Sequence, residues 1–287
     1  MTDDPANMDL DKPVIDEPFD VPGPRNRPVW IVGAAAVLVL AFGAGYVYLR
    51  RPTNQPAPAA AAAPQQPKAD QAAEAGEQIA LPPLDETDAV VRDLVGRLSS
   101  HPAVAAWLTT DGLLLNFANV TLRISNGESP VQELKTLGPV PAFRPRTSRD
   151  DLFVDPASYR RYDRFAAAVS ALDSRGAARL YATVKPRVLD AYRRVGGAPA
   201  GDFDPILERA IVEMLKVPIV QGDIELAPSG IVYAYVEPRL EGLSTAQKHL
   251  LRMGPQNVQT IQSKLREIAD YLAIPGSRLP SPSTVTR

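Results

Sequence analysis

Residues 29–49, VWIVGAAAVLVLAFGAGYVYL, run for 21 positions without a charged side chain, and no other feature restricts the possible folds of the chain as strongly. A helix rising about 1.5 Å per residue would reach roughly 31 Å, the hydrocarbon thickness of a bilayer. Arg25 and Arg27 precede the run, Arg50 and Arg51 follow it, and Trp30, Tyr46 and Tyr48 lie near its ends. Interfacial solvation favours such side chains at those depths. A core helix seldom stays apolar on every side. A cleaved signal peptide has a shorter apolar core behind a basic leader, whereas an acidic, proline-bearing stretch of 28 residues comes first here. The sequence therefore predicts one uncleaved signal anchor, contacting the lipid bilayer through residues 29–49.

The flanks set the expected organisation. Residues 1–28 carry seven acidic and three basic side chains among six prolines, too little apolar surface to offset ordering, and read as a disordered tail. Residues 50–83 hold prolines at 52, 56, 58, 64 and 67 among alanines, which favours extended polyproline II and blocks a long helix. Lys12, Arg25 and Arg27 on one side balance Arg50, Arg51 and Lys68 on the other. The linker, a common way to hold a domain off a membrane, points to a bacterial inner-membrane protein with a periplasmic C-terminal domain. The whole chain has net charge −2, which leaves no electrostatic case for nucleic acid. It contains no cysteine, so disulfides, thiolate metal sites and a cysteine nucleophile are excluded.

From Leu84 the pattern becomes globular. Asp85 or Thr87 can cap a helix carrying Val90, Val91, Leu94 and Leu98, and Pro102 opens a turn of helix before Val104 and Trp107. Leu113, Phe117, Val120 and Ile124 recur at helical spacing. Residues 138–156 read as a loop with room for a two-stranded ribbon. Helices follow at Pro156, from about Ser174 to Val195 with Pro186 as a kink, and from Asp204 to Leu215. Short strands fit 216–242. Ser244 caps a helix ending near Met253, and Pro255 opens the last one, with Val258, Ile261, Leu265, Ile268 and Leu272 on one stripe. Residues 274–287 read as a disordered tail. The expected fold class is mainly α: a single N-terminal transmembrane helix, then a compact multi-helix domain over 84–273 with at most a few short strands.

Chemical signatures are sparse. His101 and His249, the two histidines, lack any ligand spacing, so no metal and no cofactor is expected. Asp150, Asp151, Asp155, Asp202 and Asp204 fall on loops near helix starts, where a glycan hydrolase could pair an acid with a base. Asp155 and Asp204 each precede proline, however, and capping explains them. In Ser158 to Phe165, Arg160, Arg161 and Arg164 interleave with Tyr159 and Tyr162, a candidate surface for an anionic partner. Around LLRMGPQNVQTI the outline of a helix–hairpin–helix turn appears, but Gln256, Gln259 and Gln262 supply polarity without positive charge, which argues against DNA.

The runs LPPLDETD, HPAVAAWL, DPASYRRYDRF, AARLY and LSTAQKHLLRMGPQNVQTIQSKLREI together resemble a bacterial family known as the domain of unknown function 3014 (DUF3014). The resemblance spans roughly residues 81–272 and is most specific over 243–268. It implies a membrane-anchored domain behind a Pro/Ala spacer and transfers no catalytic residue. The reading is a non-catalytic binding or scaffolding module of the cell envelope, its partner another envelope protein or a wall polymer. The candidate contacts are Arg160, Arg161, Arg164, Gln256, Gln259 and Gln262. The alternative is an envelope-polymer hydrolase using the loop carboxylates.

Overall fold

The computed structural model describes residues 75–96, 108–130, 142–196, 201–230 and 232–286. Eight α-helices and six strands fall within them. The helices are α1 (Thr87–Gly96), α2 (Leu113–Ser125), α3 (Asp163–Ser170), α4 (Ser174–Arg194), α5 (Asp204–Leu215), α6 (Pro238–Glu241), α7 (Thr245–Leu251) and α8 (Pro255–Tyr271). The strands are β1 (Pro145–Ser148), β2 (Asp151–Val154), β3 (Ile219–Gln221), β4 (Glu225–Ser229), β5 (Val232–Tyr235) and β6 (Thr284–Thr286).

One apolar core joins the helices. α2 packs on α4 and α5, and α8 packs on α3, α4 and α5. Phe203 is its aromatic hub, fully buried, with ring centroids 5.5 Å from Phe117 and 5.5 Å from Tyr192. Burying such rings supplies much of the apolar driving force. The stripes at three- and four-residue spacing face inward as the sequence predicts: Leu113, Phe117 and Val120 on α2, and Val258, Ile261, Leu265 and Ile268 on α8, are 2% exposed or less.

Polar side chains close the helix ends inside this core. Ser244 and Gln247 form a reciprocal capping box at the start of α7, and the Ser244 hydroxyl donates to Glu213 Oε1 at 2.6 Å. The same corner grips residues after α2: Thr245 Oγ1 accepts from the Ser129 amide at 2.9 Å and donates to the Gly127 carbonyl. The capping box satisfies backbone amides that the start of α7 leaves orphaned, and Thr245 ties the chain after α2 to it.

The expected fold class is corrected. The helical character holds, but among the described residues no helix is long and apolar enough to cross a membrane. The longest, α4, is 21 residues but carries Arg175, Arg179, Lys185, Arg187 and Asp190. Residues 1–28, residues 29–49 and most of 50–83, given above as tail, anchor and linker, lie outside the described residues. Five of the six strands fall where a ribbon (138–156) and short strands (216–242) are expected, and the sixth, β6, lies in the segment read as a disordered tail. β1, β2, β4 and β5 form an antiparallel sheet in that order, and β3 pairs with β6 in parallel.

Both domain limits move outward. Residues 75–83 lie along α4: the Glu77 amide donates to Thr183 Oγ1 at 2.8 Å, and Arg187 donates to the carbonyls of Leu81 and Pro82. Gly76 is required there, since a Cβ would stand 2.4 Å from the Thr183 nitrogen. Pro186 lies inside a helix that continues through it to Arg194. At the other end, 274–286 is ordered where a disordered tail is expected. Arg266 donates to the Pro280 carbonyl at 2.6 Å, and β6 then aligns Val285 with Val220 of β3. Backbone pairing, which composition does not reveal, orders the segment.

Gly254, between α7 and α8, has φ 86° and ψ 163°, a region open essentially to glycine alone. A Cβ there would lie 2.3 Å from Tyr159 Cγ. Gly254→Ala should cost about 3 kcal/mol or more in urea unfolding, whereas Gly96→Ala, with nothing near its added carbon, should leave stability unchanged or slightly raised.

Candidate partner-binding face

Arg160 and Arg161 lie on a 3-10 helix, Pro156–Tyr162, where their spacing predicts α-helix, and Arg164 lies on the α-helix α3 that follows. Asp155 caps the 3-10 helix, accepting from the Ala157 amide at 2.8 Å, and Pro156 fixes the first turn. The segment is fastened to α8 by a buried amide: Asn257 Nδ2 donates to the carbonyls of Tyr159 and Met253 and to Asp163 Oδ1, at 3.2, 2.9 and 3.1 Å. Burial, reinforced by Tyr235 and Asp223, pushes the Tyr159 hydroxyl up to about 12, so it stays neutral.

This packing brings most of the predicted contact residues onto adjoining elements. Arg160 and Arg164 are exposed beside exposed Gln256 and Gln259. Arg161 is half-buried: its Nε donates to the Ser158 carbonyl, and its guanidinium lies 5.6 Å from the Phe143 ring centre and 5.3 Å from that of Tyr162. Gln262 does not belong with them. Its side chain is 3% exposed and donates to the carbonyls of Met214, Leu215 and Val217. It occupies the apolar stripe, four residues after Val258 and three before Leu265, and that register was the signal for its burial.

The face continues onto the four-stranded sheet. Phe143 meets Tyr233 edge-on at 5.7 Å. Cross-strand pairing places Arg146, Phe153, Glu225 and Val236 in one row of the outer side, with Ala227 opposite Ala234 and Ser229 opposite Val232. Half-solvated sheets ordinarily turn polar residues outward. Here Val232 is 60% exposed and Val236 45%, while Tyr233, on the opposite side with buried Tyr235, is 38% exposed. Sequence reasoning missed this patch because a run of apolar residues reads as buried strand.

At the rim of the patch Glu241 accepts from the Tyr235 amide at 2.8 Å and from Lys248 Nζ. The Lys248 ammonium, then the Tyr235 amide, hold the Glu241 carboxyl below the usual carboxylate range. His249 on α7 is pulled down to about 4 by burial and by Arg252, so it is neutral at physiological pH. His101 lies outside the described residues.

Of the carboxylates proposed for hydrolysis, Asp155, Asp202 and Asp204 have structural partners, and Asp150 and Asp151 belong to the β1–β2 hairpin. Asp150 occupies the β1–β2 turn with φ 72°. Asp151 pairs with Ser148, and Asp155 is the cap already described. Lys185 Nζ lies 3.4 Å from Asp202 and 2.6 Å from Asp204, and Asp204 accepts from the Tyr181 hydroxyl. Although desolvation opposes it, Lys185 and the amides of Phe203 and Asp204 hold Asp202 below the carboxylate range, the wrong direction for a general acid. Among the described residues no three His, Cys, Asp or Glu side chains cluster so as to hold a metal ion.

Residues 113–269 match the family model described as protein of unknown function (DUF3014). The match covers more than half of the chain, which belongs to that family. No curated protein and no solved structure matches the chain.

His249 gives this region a pH signature. Its folded value lies below that of an unfolded histidine, so the unfolded chain binds the proton more readily. The stability it contributes is complete above about pH 6.5 and is lost as pH falls toward 4. His249→Gln should remove up to about 3 kcal/mol of the difference in unfolding free energy between pH 7 and pH 4, measured with urea at both values.

Proposed function

We propose that the domain is a non-catalytic binding or scaffolding module of the bacterial cell envelope. Its contact surface runs from Arg160, Arg164, Gln256 and Gln259 across the Arg161–Phe143–Tyr233 stack to Val232 and Val236. The observation that carries the reading is the pair of exposed valines on the edge strand β5, whose Tyr233 meets Phe143 and through it the Arg161 guanidinium. Apolar patches rimmed by polar residues mark interaction sites, and arginine and tyrosine are enriched at the centres of interfaces. The partner class is another envelope protein or a wall polymer. The address proposed, inner membrane with the C-terminal domain on the periplasmic side, rests on the composition of the sequence before residue 84.

Photo-crosslinking amino acids placed one at a time at Arg160, Gln259 and Val236 of the full chain should each yield the same discrete adduct in cells. Arg179 on α4 serves as the control position and should yield none. The double variant Arg160→Glu/Arg164→Glu should weaken the adduct at Val236 at least about tenfold, a loss of roughly 1.4 kcal/mol. Adducts of equal strength at Arg179 would remove the reading.

A further inference from the structure

The edge of the sheet already holds a carboxylate. Among the described residues β5 is the last strand of its sheet, and its pairing with β4 fixes which backbone groups look outward. The Val236 amide donates inward, to the Glu225 carbonyl, so the Tyr235 amide points away from β4, as does that of Tyr233 two residues earlier. Glu241 of α6 fills the outward position at Tyr235, one carboxylate oxygen on the amide at 2.8 Å and the other on Lys248 Nζ. Arg252 adds positive field at the same carboxylate and hydrogen-bonds the Tyr235 hydroxyl. The seat is open to solvent, the Glu241 side chain being 42% exposed.

We infer that β5 is a strand-addition site for an extended acidic peptide of a partner protein, and that Glu241 is its built-in placeholder. This names the partner class for the binding module and rests on that reading. A peptide entering antiparallel to β5 brings a backbone carbonyl to the Tyr235 amide and another pair of groups to Tyr233. A carboxylate side chain on that peptide takes the place of Glu241 against Lys248 and Arg252. Alternate side chains then cover Val232 and Val236, which the fold leaves bare. Charge complementarity selects the occupant: Lys248 already binds a carboxylate, Arg252 adds its positive field there, and Arg239 stands exposed on α6. An unguarded edge of this kind is a template for indiscriminate pairing, so a displaceable internal carboxylate also restrains unwanted partners.

The test uses fluorescein-labelled hexapeptides alternating valine with glutamate, valine with lysine, or valine with glutamate and N-methylated on alternate amides. Binding to the full chain is followed by anisotropy, and protection of residues 232–236 by hydrogen exchange. The glutamate peptide should bind and protect those residues, and Glu241→Ala should tighten it about tenfold by removing the competitor. Glu241→Gln, of similar volume, covers the case in which the alanine variant fails to fold. Lys248→Gln should weaken the complex about tenfold. Equal binding of the lysine peptide, or retained binding of the N-methylated one, overturns strand addition, and so does an unchanged affinity in the Glu241 variants. If the peptides fail while the adducts at Arg160 and Val236 persist, the binding module stands and this mode of recognition falls.

Discussion

The end of α5 is buried, and a buried helix end must find donors for its last carbonyls. Gln262 of α8 provides them. Its Nε2 stands 3.0 Å from the Met214 carbonyl, 2.8 Å from that of Val217 and 3.4 Å from that of Leu215, with the side chain 3% exposed. An unpaired carbonyl in such surroundings costs about 1–3 kcal/mol, so one amide here outweighs many surface ion pairs. It also fixes position. α5, the turn leading into β3, and α8 meet at this point, and β3 in turn anchors β6.

The same device recurs toward the proposed contact face. Asn257, five residues earlier on α8, ties the arginine-bearing 3-10 helix to the Gly254 turn. On α7, ten residues before Asn257, Gln247 closes the capping box and donates to the Glu213 carbonyl. Three amide side chains thus stitch α5, α7, α8 and the 156–163 segment into one body. A face built on that body is presented rigidly, which lowers the ordering cost of binding. The ion pairs at the surface, such as Arg146 with Asp223, contribute less because solvent screens them.

What the sequence discloses follows from what periodicity measures. The stripes of α2 and α8 were legible because apolar spacing reports one buried helix face directly. The Ser244 cap and the Asp155-Pro156 start were legible because those residue types do their work locally. Five of the six strands fall in the segments read as a ribbon and short strands, but their pairing and β6 were not legible, since three to five residues cannot establish a period and long-range pairing leaves no local trace. Gln262 was read as surface from its residue type, although its register put it on the buried stripe. The exposed valines of β5 failed in the opposite sense, apolar by type and bare in the fold.

The most direct test of this account is urea unfolding of Gln262→Leu, which keeps the volume and removes the donor. With the Val217 carbonyl stripped of this donor and the Met214 carbonyl keeping the Val217 amide at 3.3 Å, the loss should be about 1–3 kcal/mol, with an unchanged denaturant slope. A loss below about 0.5 kcal/mol would show that the amide does not hold α5 and α8 together, and would contradict the account.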